Sequence, residues 1–312
     1  MSTLIKKVPV PLSGVMLGCA ALGNLLQSYS PVVRYVFGGI SAVLLLLLVL
    51  KIALYPGAVR DDLKNPIMMG VAATFPMGIM LLSVYAKPFL GKAAFFLWLF
   101  AVALHAVLIV AFTLRFMRKP EMPKVFASYF VVYVGIAAAG ITAPAYQMAV
   151  LGTAVFWFGF LCLLGLLGLV GFRYVKYPKV PEPAQPVFCI FAAPASLCLA
   201  AYLQSVQVKH MGMVVFLAIV ASALYVMSLI KLVSLLKLPF YPSKASFTFP
   251  FVISAIALRQ TAGYFAAAGT PVPLLSTAAT VETVIATLLV CYTLVCFAIF
   301  LLKPQKTAAP TK

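Results

Sequence analysis

Apolar runs of helix length follow one another through the whole chain, and most of its cations fall in the short gaps between them. Ten such runs are legible, at approximately 10–27, 34–54, 66–85, 93–117, 125–141, 148–172, 186–204, 211–233, 244–265 and 278–302. A hydrocarbon core about 30 Å thick takes roughly 20 apolar residues as a helix. Composition agrees: 64% of the 312 residues are hydrophobic and 9% charged, where a soluble domain carries about 25% charged residues. Too few charges remain to clothe a globular surface. The pattern predicts an all-α polytopic membrane protein made of a single domain over 1–312. The opening "MSTLIKKVPVPLSGVMLG" is broken by prolines, and no polar domain follows it. It reads as a retained first span rather than a secretory signal.

The net charge of +18 does not form a nucleic-acid stripe. With the N-terminus and alternate connections placed on the cytoplasmic side, 18 lysines and arginines fall on that side and 4 on the other (Arg34, Lys87, Lys92 and Lys209), with Arg259 left inside a run. Such a bias orients membrane proteins and predicts an even number of spans with both termini inside. The chain belongs, on this reading, to the cell (inner) membrane, with the bilayer and not nucleic acid as its partner.

Even-numbered runs such as "SAVLLLLLVL" and "WFGFLCLLGLLGLVGF" are long and uninterrupted. Odd-numbered ones are shorter, rich in small residues, and carry Pro11, Pro76, Pro194 and Pro250. The intervals are 65, 118 and 56 residues, so one unit lacks its proline, and Gly135 stands near the vacant place. Thr-Phe-Pro occurs in both the third run (Thr74, Phe75, Pro76) and the ninth (Thr248, Phe249, Pro250). Proline removes a backbone donor and bends a helix. In lipid a freed carbonyl needs protein or a wet cavity beside it. Five bent helices, one per hairpin, are therefore expected to gather in a quasi-fivefold bundle around a central pore, with five straight helices outside. Pro11, Pro76, Gly135, Pro194 and Pro250 are the expected kinks lining it.

Five carboxylates are present, and only Glu282 falls at membrane depth. Cation pathways and proton relays spend several intramembrane acids, so neutral or anionic cargo is favoured, and the basic mouth would concentrate anions. The six cysteines lie inside apolar runs without a C-x-x-C pair, so neither disulfide framework nor metal site is expected. No phosphate loop, triad or zinc signature is present. The chain is expected to be no enzyme and to need no cofactor.

"FTFPFVISAIAL" in the ninth run, "VPLSGVMLGCAALGN" in the first and the alternating plan resemble the tellurite-resistance/dicarboxylate transporter family, relatives of the plant slow-type anion channels and yeast malate permeases. The resemblance spans essentially the whole chain. It implies ten helices in five hairpins, a pore in each protomer of a homotrimer, and a ninth-helix phenylalanine that plugs the pore. Here that residue matches Phe249, with Phe75 a second candidate pore aromatic. The fifth helix departs from the pattern by lacking its proline. Without the long tails of the plant channels, kinase control of that kind is not expected.

The expected function is an anion channel for small inorganic or carboxylate anions, gated by Phe249. The alternatives are a coupled carrier of C4-dicarboxylates such as malate, an exporter of oxyanions such as sulfite or tellurite, or a membrane subunit without flux. Arg259 and Glu282 reach similar depth when the last two runs are folded as a hairpin. They are expected to pair, the competing role for Arg259 being anion attraction in an outer vestibule. His105, alone in the fourth run, is expected to bond a neighbouring helix rather than relay protons.

Overall fold

The computed structural model describes residues 2–303. Lys306 and Lys312, which contribute to the charge bias, lie outside the described residues. The described chain is helical throughout, without a strand. Seven of its helices are long and apolar enough to cross a membrane.

The even-numbered segments are continuous rods: Pro31–Leu54, Lys92–Met117, Ala149–Lys176, Met211–Leu236 and Pro273–Leu302. Each odd-numbered segment is broken. The first runs as Leu12–Leu26 behind a turn at Pro11. The third is Pro66–Ala72 then Thr74–Leu90. The fifth is Ser128–Tyr133, Ala137–Thr142 and a 3-10 turn Ala143–Tyr146. The seventh is a 3-10 stretch Glu182–Ala192 followed by Pro194–Ser205. The ninth is a 3-10 turn Pro242–Phe247 followed by Phe249–Ala267. Two short helices, Ser2–Lys7 and Pro56–Asp62, lie outside the apolar runs.

Packing follows this division. Successive odd segments contact one another, first to third, third to fifth, fifth to seventh and seventh to ninth, and the ninth returns to the first. Each even segment packs between its own odd partner and the next one round the ring. Burial separates the two sets: the apolar windows of the third and seventh segments are 72% and 89% buried, against 22–39% for the five rods. The rods face outward and carry most of the exposed Leu, Val, Ile and Phe side chains among the described residues, as lipid contact requires.

A broken helix frees carbonyls, and the structure returns a donor to the breaks. Ser13 Oγ donates to Val10 O at 2.8 Å, Thr74 Oγ1 to Val71 O at 2.7 Å, Ser196 Oγ to Ala192 O at 3.0 Å and Thr248 Oγ1 to Ala245 O at 2.7 Å. In the fifth segment Thr142 Oγ1 serves the later junction with the 3-10 turn, 3.0 Å from Ala138 O and 3.2 Å from Ala139 O, and the break between Tyr133 and Ala137 is served from outside the segment. There His105, fully buried in the fourth segment, places Nε2 2.9 Å from Val132 O. A carbonyl only accepts, so Nε2 carries the proton. The histidine thus holds a neighbouring helix at its break, and the missing proline is matched by a donor from outside the segment. Glycine itself is required there: a Cβ on Gly135 would lie 2.0 Å from Val131 O, with Met77 and His105 closing the other sides.

The hydroxyls also tie the ring together. Ser13 Oγ and Thr74 Oγ1 lie 2.7 Å apart, so that either can turn its proton from its own carbonyl to the other oxygen, and Thr248 Oγ1 has Gly14 O at 2.9 Å as a second acceptor for its one proton. Because Thr248 Oγ1 meets two backbone carbonyls in a fully buried place, Thr248→Val, of nearly equal volume, should cost about 1–3 kcal/mol. Thermal unfolding in detergent, compared with Thr287→Val on the rod Pro273–Leu302, measures this.

The cations of the face that carries residues 7 and 303 have a structural use besides orientation. Lys7 Nζ donates to Lys303 O at 2.6 Å. Lys51 Nζ donates to Lys6 O at 2.5 Å. Arg173 Nη2 donates to Pro123 O at 3.1 Å between the Phe126 and Tyr174 rings. Lys244 Nζ donates to Leu238 O at 2.9 Å and lies 2.9 Å from the Tyr292 hydroxyl. Two of them, Lys7 and Lys244, meet carbonyls at the C-terminal ends of rods, Lys303 O and Leu236 O, where cations are favoured by the helix dipole.

Candidate functional site

All five broken segments line one small cavity. Pro11, Thr74, Gly135, Pro194 and Phe249 contribute, one from each segment, and no rod does. Its water-sized free space is about 50 Å³, room for a few waters. The hydroxyls on its wall are spent: Thr74 on Val71 O, Ser243 on Pro183 O and Ser246 on Ser243 O. The wall is consequently apolar and carries no charge.

A second space of about 240 Å³ lies toward the opposite face and is polar at its far end, where Asn24, Gln27, Arg34 and Gln260 line it. Phe249 is the single residue common to the walls of both. Its side chain is 5% exposed. Local structure explains its placement. Thr248 has φ −96° and ψ −94° between a 3-10 turn and an α-helix, which re-aims the chain before the ring. Pro250 then occupies the first turn of the helix, where no backbone donor is lost. The first segment permits the close approach: Gly18 would place a Cβ 2.5 Å from Thr248 Cβ, and Gly14 one 3.3 Å from Ala245 Cβ.

Of the expected kink residues, Pro11, Gly135, Pro194 and Pro250 stand on the cavity wall. Pro76 does not. It is buried within its helix, and Thr74 and Met77 line the space instead. Residues three apart share a helix face, and position 76 turns away from it. Phe75 is a clearer correction. It lies in a peripheral groove walled by Leu45, Leu97 and Phe100 of the second and fourth segments. The two Thr-Phe-Pro triplets are therefore alike in their threonines, which both bond a carbonyl three residues back, and unlike in their rings. Thr74 already belongs to a regular helix, so Phe75 continues outward.

The Arg259–Glu282 pair does not form. Arg259 Nη1 donates to Leu25 O at 3.3 Å, with its guanidinium 5.1 Å from the Tyr29 ring centroid. Glu282 is buried, faces Ser254, and leaves Oε2 without a partner. Equal depth in a hairpin is necessary for contact but does not set azimuth, and the two side chains leave their helices in different directions. An acid without a cation gains nothing from its charge. Glu282→Gln should accordingly leave thermal stability within about 1 kcal/mol of wild type, since a paired glutamate would cost ~3–5 kcal/mol on removal. Melting of the two proteins in detergent decides.

Arg34, which composition placed among the few cations of the opposite side, is the functional candidate that sequence reasoning missed. Its guanidinium lies 4.6 Å from the Tyr85 ring centroid, and Nε donates to Asn24 Oδ1 at 3.3 Å. Position at the start of an outer rod gave no hint that it would reach the 240 Å³ space beside Phe249.

A closed ring of broken helices, jacketed by apolar rods and enclosing an uncharged cavity, defines a multi-pass membrane protein whose broken helices face one another. The family model for the voltage-dependent anion channel matches residues 7–299, and the chain belongs to that family. Its function is therefore anion transport across a membrane. No curated protein matches the chain at a significant level.

Proposed function

We propose that the ring of five broken segments is an anion channel within each protomer, closed by the Phe249 ring. The observation that carries it is the common position of Phe249 on the walls of the inner and outer spaces. An apolar constriction of that kind opposes a hydrated ion and gates by dewetting. Few charges line the path, so selection against cations comes from diffuse positive potential: the chain has 23 lysines and arginines and 5 acids. Small inorganic and carboxylate anions are the cargo. With the positive-inside bias, both termini are cytoplasmic, in the cell (inner) membrane. The resemblance drawn from the first and ninth runs adds ten crossings and a homotrimer, which native mass spectrometry tests.

An ion-substitution series on protein reconstituted in liposomes, wild type beside Phe249→Ala, tests the channel. Reversal potentials should follow the anion gradient in both, and the absence of anion current in both would remove the proposal. The separation of two spaces by one residue also suits a coupled carrier of C4-dicarboxylates or an exporter of sulfite or tellurite. Flux that saturates and moves with a proton or counter-ion gradient would favour that reading.

A further inference from the structure

We propose that Arg34 and Arg259 form a two-guanidinium capture site for oxyanions at the mouth remote from the termini. This rests on the reading that anions travel through the ring. Arg34 lines the space that runs outward from Phe249, and Arg259 lines an adjoining space of about 290 Å³. The two share Asn24, Gln27 and Gln260 on their walls. Arg259 follows Phe249 by ten residues on one helix, about 15 Å along its axis.

Both guanidiniums are positioned and mostly unspent. Each rests against a tyrosine ring; Arg34 donates to Asn24 and is within hydrogen-bond reach of the Tyr85 hydroxyl, and Arg259 donates to Leu25 O. Arginine has five N–H donors, so the rest are left for a ligand. Lys87, the other nearby cation, is already committed to the carbonyl of Ala145. No carboxylate answers the two charges: the described ion pairs are Lys64–Asp61 and Lys124–Glu121, both in connections on the termini face, and Glu282 faces Ser254. Between the arginines, Gln260 has a buried amide oxygen without a partner. A half-turn of that amide presents its NH2 there instead.

The chemistry selects the ligand. A planar fork of donors matches an anion with two or more oxygens bidentately, whereas a spherical halide offers a single acceptor centre on which the two parallel N–H bonds must converge. Nitrate and malonate should therefore be held more tightly than chloride.

The test uses currents in the Phe249→Ala background and thermal shift of the otherwise wild-type protein, with nitrate, malonate and chloride as probes. Replacing both arginines with lysine keeps the charge and removes the fork. It should raise the half-saturating nitrate concentration roughly fivefold or more while chloride changes little. Replacing both with glutamine should weaken all three anions. Nitrate should stabilise the otherwise wild-type protein more than chloride, and Arg259→Gln alone should erase that difference. Unchanged nitrate half-saturation in the lysine variant, or equal thermal shifts by nitrate and chloride in the otherwise wild-type protein, overturns the capture site. The thermal shift reads binding without current, so a silent Phe249→Ala protein would count against the channel and not against capture. Current in Phe249→Ala that ignores the arginine changes would count against capture alone.

Discussion

Anion current through Phe249→Ala should exceed that of the wild type by at least about tenfold, the change produced by lowering a barrier by ~1.4 kcal/mol. The ring is the single side chain on the walls of both the 50 Å³ inner space and the 240 Å³ outer one. Its removal joins them and lets water accompany the ion. Burying a Phe fully makes its loss expensive, typically ~3–5 kcal/mol. Phe249 already borders free space on two sides, so the stability cost should fall toward or below the lower end of that range. Phe249→Leu should fall between wild type and alanine in current. Paired measurement of liposome flux and detergent melting separates opening from unfolding. Wild-type flux in a well-folded Phe249→Ala protein would remove the gate. Phe75→Ala is the control. Its ring lies in the peripheral groove, so its loss should leave conduction unchanged.

The second large effect is expected at Gly135. Gly135→Ala drives a Cβ against Val131 O, a backbone atom that cannot step aside as a flexible side chain would. The neighbouring positions offer no relief: Met77 Sδ at 2.8 Å and His105 Cε1 at 3.0 Å stand on the other sides. Overpacking of this kind costs typically about 1–3 kcal/mol and occasionally more, and we expect the upper end, with loss of the Val132–His105 bond. Gly165→Ala, on the rod Ala149–Lys176 with nothing within 4 Å of the added carbon, should be neutral or stabilising by up to about 1 kcal/mol. Melting temperatures of the two variants provide the comparison. Gly135→Pro should fare no better than alanine, because Gly135 N–H donates to Phe130 O at 3.3 Å and proline would delete that bond as well. Glycine here is the break itself rather than a proline gone missing.

Much of this architecture was legible before any coordinate. Run length and charge sparsity determine a helical membrane protein, because lipid leaves no other use for so many apolar residues. The alternation of broken and continuous segments followed from proline spacing, since proline is tolerated in the first turn of a helix but not in its interior, so a new helix starts where it stands. The resemblance at Phe249 and Pro250 singled out the ring that stands between the two spaces. What composition and spacing do not contain is azimuth. Whether Phe75 repeats the part of Phe249, whether Pro76 or its neighbours line the cavity, whether Arg259 meets Glu282, and whether Arg34 reaches the outer space all depend on rotation about helix axes. Rotation is set by packing between segments distant in the chain: Gly18 against Thr248, His105 against Val132, Arg34 against Tyr85. Local sequence decides that a helix breaks; the neighbours it packs against decide which way the broken end points.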